Sequence, residues 1–179
     1  NRTLNLSQDD RLLLRNQVLL PSDVTKKTST VDRLINADFT ANIHLIGDQS
    51  VDLLILDPPY NLDKNFNGFR FSARSFDAYT EYLRSIFKII KPKLKTAATI
   101  YICGDWKTSL SIYQAATEFF VVRNRITWER EKGRGASANW KNCSEDIWFC
   151  TNSEEYIFNV DQVKLRRQVR TPYRDSKGQ

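Results

Sequence analysis

Apolar residues in this chain fall into short blocks whose periods switch between strand-like and helix-like. Val51-Asp-Leu-Leu-Ile-Leu56 is an almost unbroken apolar run, which predicts a parallel strand covered on both faces. Downstream, Phe76, Tyr79, Leu83, Ile86 and Ile90 recur at spacings of three and four. That spacing marks one face of a helix, and Pro92 stops it. Residues 97–103 predict a second buried strand, 106–119 a second helix, and 120–128 a longer strand with mixed faces. Upstream, Arg33-Leu-Ile-Asn36 predicts a short strand and residues 40–46 a helix. Ser7-Gln-Asp-Asp10 caps a first helix that runs to about Val18. Residues 21–30 read as a polar linker, and 57–75 and 129–142 as loops. Residues 146–151 with 156–159 read as a closing strand pair.

Strands alternating with helices predict an α/β domain built on a largely parallel sheet. In such sheets ligands bind beyond the carboxyl ends of the strands, and Asp38 and Asp57 both stand at such ends. The 179 residues, 41% hydrophobic and 27% charged, suffice for one globular domain. No apolar run approaches the roughly 18 residues of a membrane span. With no signal pattern at the start, a cytoplasmic protein is expected. Cys103, Cys143 and Cys150 lack metal-ligand spacing and read as reduced core thiols. The single histidine, His44, reads as structural, so no metal site is expected.

Charge adds a partner. The formal net charge is +6, from 27 Lys and Arg against 21 Asp and Glu, and the isoelectric point is about 9.3. This balance suits a polyanion. Lys164, Arg166, Arg167, Arg170, Arg174 and Lys177 face one acid, Asp175. The cluster reads equally as a phosphate-contacting tail or a solvated basic surface. Lys132, Arg134 and Lys141, interleaved with Trp140, are a better nucleic-acid candidate, because charge and stacking coincide there.

The most specific chemistry lies in Asp57-Pro58-Pro59-Tyr60. Each proline fixes its own φ and holds the preceding residue extended. Neither proline has an N–H, and an ionised Asp57 is acceptor-only. Tyr60 adds a flat ring on which a base can stack. Acceptors beside an aromatic plate form a receptor for a planar ring bearing an –NH2 group, such as adenine or cytosine. Holding both amino hydrogens favours a pyramidal nitrogen whose lone pair can attack a methyl sulfonium in line, so positioning supplies much of the catalysis. The bland reading of the same residues is a rigid turn after a strand.

Leu53-Leu-Ile-Leu-Asp-Pro-Pro-Tyr-Asn-Leu62 resembles motif IV of the amino-methyltransferases that act on adenine N6 or cytosine N4 in DNA. The resemblance is greatest to the β-class, in which this motif lies near the N-terminus. It extends from about Leu34 to Thr171. Asn36-Ala-Asp-Phe39 is similar to the segment whose acid contacts the cofactor's adenosine. Ile126-Thr-Trp-Glu129, Ser144-Glu-Asp-Ile-Trp-Phe149 and Tyr156-Ile-Phe-Asn159 resemble the later strands in their order.

The resemblance implies S-adenosylmethionine as donor, a base flipped out of double-stranded DNA, and a Rossmann-like methyltransferase sheet with helices on both faces. By position, Asp57 and Pro58 would hold the amino group, with Pro59 completing the rigid turn and Tyr60 stacking on the base. Ala37, Asp38 and Phe39 would lie near the adenosine, and Asp57 near the methionine end. Asp at the first motif position leans towards adenine N6, in a restriction-modification system or a solitary methylase. Cytosine N4, an RNA or glutamine-amide target, and an inactive DNA-binding partner are the alternatives, and a homodimer is left open. The family's glycine-rich F-x-G-x-G loop has no counterpart among these residues. The expectation is therefore an incomplete sheet with an open edge at residues 51–56, completed by further chain or a second polypeptide. The expected division is residues 1–30 as helix and linker, 31–160 as a partial methyltransferase catalytic domain, and 161–179 as the start of a basic target-recognition region.

Overall fold

The structure is a computed structural model and describes residues 6–24, 32–66, 68–134, 137–138, 140 and 142–164. Its first helix, α1 (Gln8–Arg15), is capped by Ser7, whose hydroxyl accepts from the Asp10 N–H while the Asp10 carboxylate accepts from the Ser7 N–H. β1 (Val18–Leu19) pairs in parallel with β2 (Leu34–Ile35). After β2 the chain enters α2 (Phe39–Asn42), capped by Asp38.

The main sheet has four strands in the order β3-β6-β8-β7. β3 (Val51–Leu56) pairs in parallel with β6 (Leu94–Gly104). β7 (Val121–Arg134) and β8 (Asn142–Thr151) form an antiparallel pair, and β8 also pairs antiparallel with β6. The sheet is therefore mixed, not largely parallel, because the chain reverses after β7 and inserts β8 between β7 and β6. Residues 129–134 belong to β7, so the strand runs well into the expected loop. β8 begins earlier than expected, at Asn142, and residues 156–159 form no strand. Within residues 57–75 a hairpin forms from β4 (Lys64–Phe66) and β5 (Phe69–Phe71).

α3 (Phe76–Ile90) forms because Ser75 caps it and its apolar stripe has somewhere to go. Leu83 and Phe87 are fully buried, with Tyr79, Ile86 and Ile90 close behind, whereas Phe76 remains 41% exposed. α4 (Ser109–Phe119) begins three residues later than expected, since Asp105 organises a preceding turn by accepting from the Thr108 N–H at 2.9 Å and the Thr108 hydroxyl at 2.8 Å. Ile112, Ala115 and Ala116 of α4 meet Ile100 and Ile102 of β6 and the α3 stripe in one core. Arg84 of α3 and Glu118 of α4 join the helices at the surface, with Arg84 Nε 2.9 Å from Glu118 Oε2. A four-residue helix, α5 (Val160–Val163), follows the sheet.

This core lies on one face of the sheet. On the other, Tyr101 stacks on Phe149, which in turn meets Tyr156 and Phe158. That cover does not extend over β3, where Leu53 is 53% and Ile55 67% exposed while Leu54 and Leu56 pack into the core. The expected burial of β3 on both faces is thus corrected, because no described element lies over its second face. Among the described residues β3 also has a strand on one side only, as expected without the glycine-loop half. No described helix is long and apolar enough to cross a membrane.

Candidate amino-group and base site

The carboxyl ends of the parallel pair β3 and β6 open into a cleft of about 530 Å³, within the ordinary range for a small-ligand site. Asp57, Pro58, Pro59 and Tyr60 line it as they leave β3. Asp105 and Trp106 enter from the end of β6, Arg130, Asn142 and Glu145 from β7 and β8, and Leu62 and Lys64 from the loop after Tyr60. All four residues of the tetrapeptide therefore share one cavity.

Local geometry explains how the tetrapeptide is held. Asp57 is exposed, Pro58 buried, and Pro59 and Tyr60 half-buried. The Pro59 carbonyl accepts from the Asn61 N–H at 2.8 Å and from the Tyr79 hydroxyl at 2.9 Å. No described residue donates to the Pro58 carbonyl. Asn61 sits in the left-handed region at φ 45°, which asparagine tolerates better than most residues. Its side-chain amide bridges the Arg74 backbone, accepting from the N–H at 2.8 Å and donating to the carbonyl at 2.9 Å.

Asp57 and Glu145 place negative charge beside Tyr60 and Cys103. Burial, followed by the negative charges of Asp57 and Glu145 and a hydrogen bond with Asp57, pushes the Tyr60 phenol well above its ordinary value. Burial, then Asp57 and Glu145, raises the Cys103 thiol in the same way. Across the cleft, Arg130 donates to Glu145 at 2.7 Å.

Ala37, Asp38 and Phe39 do not line this cleft. Asp38 caps α2: its Oδ1 accepts from the Thr40 hydroxyl at 2.7 Å and the Ala41 N–H at 3.0 Å. Those two bonds hold the carboxyl below the usual carboxylate range. Trp140 is 96% exposed. Lys132 and Arg134 lie on β7 rather than in a loop, with their side chains outside the described residues, and Lys141, Arg166, Arg167 and Arg170 lie outside them altogether. Among the described residues no cluster of metal-ligating side chains occurs.

Sequence reasoning missed Asp105, Trp106, Arg130, Glu145 and Tyr79. Gly104-Asp-Trp106 at the end of a buried strand was a usable signal, since Asp105 directly follows β6 as Asp57 directly follows β3. Arg130 and Glu145 carried none, because only the β7–β8 register brings them together.

The fold and cleft define a class: an α/β domain with a cleft, lined by Asp57, Pro58, Pro59 and Tyr60, beyond the carboxyl end of a parallel strand. A family model described as DNA methylase, covering the N6 and N4 methyltransferases, matches residues 51–178, and the chain belongs to this family. It is 28% identical over 138 residues to the DNA adenine methyltransferase YhdJ of Escherichia coli (strain K12), covering 76% of this chain and 47% of that protein. It is 31% identical over 126 residues to the type II methyltransferase M1.MboII of Moraxella bovis, covering 67% and 46%. The chain thus spans about half the length of the curated relatives it matches. Among solved structures, the PvuII DNA methyltransferase (cytosine-N4-specific) aligns with a TM-score of 0.59 at 12% identity, covering 73% of this chain and 52% of that one. A DNA modification methylase of Thermus thermophilus, TTHA0409, complexed with S-adenosyl-L-methionine, aligns at 0.51 and 15% identity, covering 70% and 55%. These likenesses establish the Rossmann-like methyltransferase fold.

Proposed function

We propose that this chain is the base-binding part of a DNA methyltransferase that methylates the exocyclic N6 of a flipped adenine, using S-adenosylmethionine, in a restriction-modification system. The observation that carries the reading is the tetrapeptide Asp57–Tyr60 lining a cleft of ample volume for a base, with a Pro58 carbonyl to which no described residue donates. The Asp57 carboxylate and Pro58 carbonyl accept the two amino hydrogens, and the Tyr60 ring supports the base. A base inside duplex DNA cannot present its amine in line, so it must be extruded into the cleft. Once methylated, the nitrogen is strongly acidic, and Asp57 or water removes its proton.

The cofactor supplies a methyl group on a sulfonium. Asp38 suits its adenosine end, because Oδ1 is committed to the cap while Oδ2 takes no hydrogen bond from a described residue and is open to a ribose hydroxyl. Ala37 and Phe39 flank that position, and Asp57 would face the methionine end. We assign residues 31–160 to the catalytic domain, with the remaining half of its sheet adding to the open edge of β3. Trp140, Lys132, Arg134, Lys141 and the basic residues Arg166, Arg167 and Arg170 are assigned to DNA contact, and a homodimer is the assembly to test. Adenine is favoured by Asp57 at the first motif position and by the likeness to YhdJ. Cytosine N4 is the second reading, favoured by the likeness to the PvuII enzyme.

Methyl transfer from labelled donor to DNA by the full-length protein, followed by nucleoside analysis, separates these targets. Asp57→Ala is expected to lower transfer by roughly 10²–10³-fold, as loss of a preorganised polar contact does, while DNA binding persists. Near-normal turnover in that variant would sink the assignment.

A further inference from the structure

Tyr79 belongs to the apolar stripe of α3 and is 1% exposed, yet its hydroxyl reaches out of the core to the site. It donates to the Pro59 carbonyl at 2.9 Å. The Asn61 N–H donates to the same oxygen at 2.8 Å, so both acceptor positions of this carbonyl are used. The next peptide upstream carries the Pro58 carbonyl, to which no described residue donates. Between the two carbonyls lie the Pro59 φ, locked by its ring, and a single soft torsion, the Pro59 ψ. Anchoring the Pro59 oxygen to a rigid helix therefore limits where the Pro58 oxygen can point. Burial raises the Tyr79 phenol above its ordinary value, so it remains a donor at any pH at which the protein would work.

We propose that Tyr79 is a positioning residue for methyl transfer: its buried hydroxyl orients the Pro58–Pro59 backbone so that the Pro58 carbonyl meets the target amino group. This rests on the function proposed above. The role predicts a loss in the chemical step without a loss in binding, because Tyr79 does not line the cleft. A tyrosine that merely satisfies its own hydroxyl would give no such separation.

The test compares Tyr79→Phe with wild type and with Tyr82→Phe in the full-length protein. Tyr82 lies on the same helix and its ring packs 5.9 Å from that of Tyr79, but its hydroxyl has no partner among the described residues. Steady-state and single-turnover methylation of a duplex are measured, with 2-aminopurine fluorescence at the target base as the readout of flipping. For Tyr79→Phe we expect kcat and the single-turnover rate to fall about tenfold, equivalent to about 1.4 kcal/mol in the barrier. Both KM values should stay within about twofold, the flipping signal should be unchanged, and Tyr82→Phe should behave as wild type. An unchanged kcat in Tyr79→Phe would overturn the proposal. So would an equal fall in Tyr82→Phe, or a fall accompanied by loss of flipping or of the folded state. Inactive wild-type protein would instead bring down the methyltransferase reading, and this inference with it.

Discussion

Cys150 illustrates how a single buried side chain sets a property of the whole. It has no exposed surface, and burial pushes its thiol up to about 12 from an ordinary 9.0. Below about pH 9 the thiol is protonated in both folded and unfolded chains, and its contribution does not change. Between 9 and 12 the unfolded chain sheds the proton and the folded one keeps it, so stability falls as pH rises. Denaturant midpoints measured from pH 8 to 11 should decline, and decline less steeply in Cys150→Ala. In native protein at pH 8, a thiol reagent should leave Cys150 unlabelled until the chain unfolds. Early labelling at this position would contradict the packing described. Cys103 shows a second kind of environment, since part of its shift comes from the Asp57 charge and so from the site itself.

β6 and α4 meet closely at Gly104. A Cβ placed on Gly104 would lie 2.4 Å from Ile112 Cδ1 and 3.1 Å from Thr108 Oγ1. Ile112 is fully buried and has little room to yield. Gly104→Ala should therefore destabilise the domain by about 1–3 kcal/mol, as overpacked cores do. Gly104→Ala combined with Ile112→Val should recover part of that loss, a non-additivity that denaturation of the single and double variants would reveal. The consequence for function is direct, because the next residues, Asp105 and Trp106, form one wall of the cleft. The tetrapeptide depends on packing in the same way, since Tyr79 of α3 donates to the Pro59 carbonyl.

For the whole molecule, the main liability is β3. Among the described residues its outer edge has no partner strand, and Leu53 and Ile55 present apolar surface beside that edge. Such edges invite pairing with other chains. The isolated chain should therefore associate in a concentration-dependent way in sedimentation experiments, and Ile55→Lys should reduce that association without altering the fold. Association unchanged by the lysine would place the sticky surface elsewhere. The chain spans about half the length of its curated relatives, and the cleft lies beyond the carboxyl ends of β3 and β6.

What the sequence by itself determined was local. The apolar run of β3, the stripe of α3 and the tetrapeptide after β3 were readable because each depends on neighbours within about fifteen residues. The motif chemistry was legible for the same reason: two prolines, an acid and an aromatic ring constrain one another through the backbone. Phe76 looked like part of the buried stripe, but it lies at the first turn of α3, where the core no longer covers it. Only the tertiary structure decided that β8 lies between β6 and β7, that β7 continues through residues expected to form a loop, and that no described element covers the second face of β3. Those outcomes depend on pairing between segments far apart in the chain. Tyr79 depended on it as well: its period placed it in the core, while contact with Pro59, twenty positions earlier, gave its hydroxyl a partner at the site.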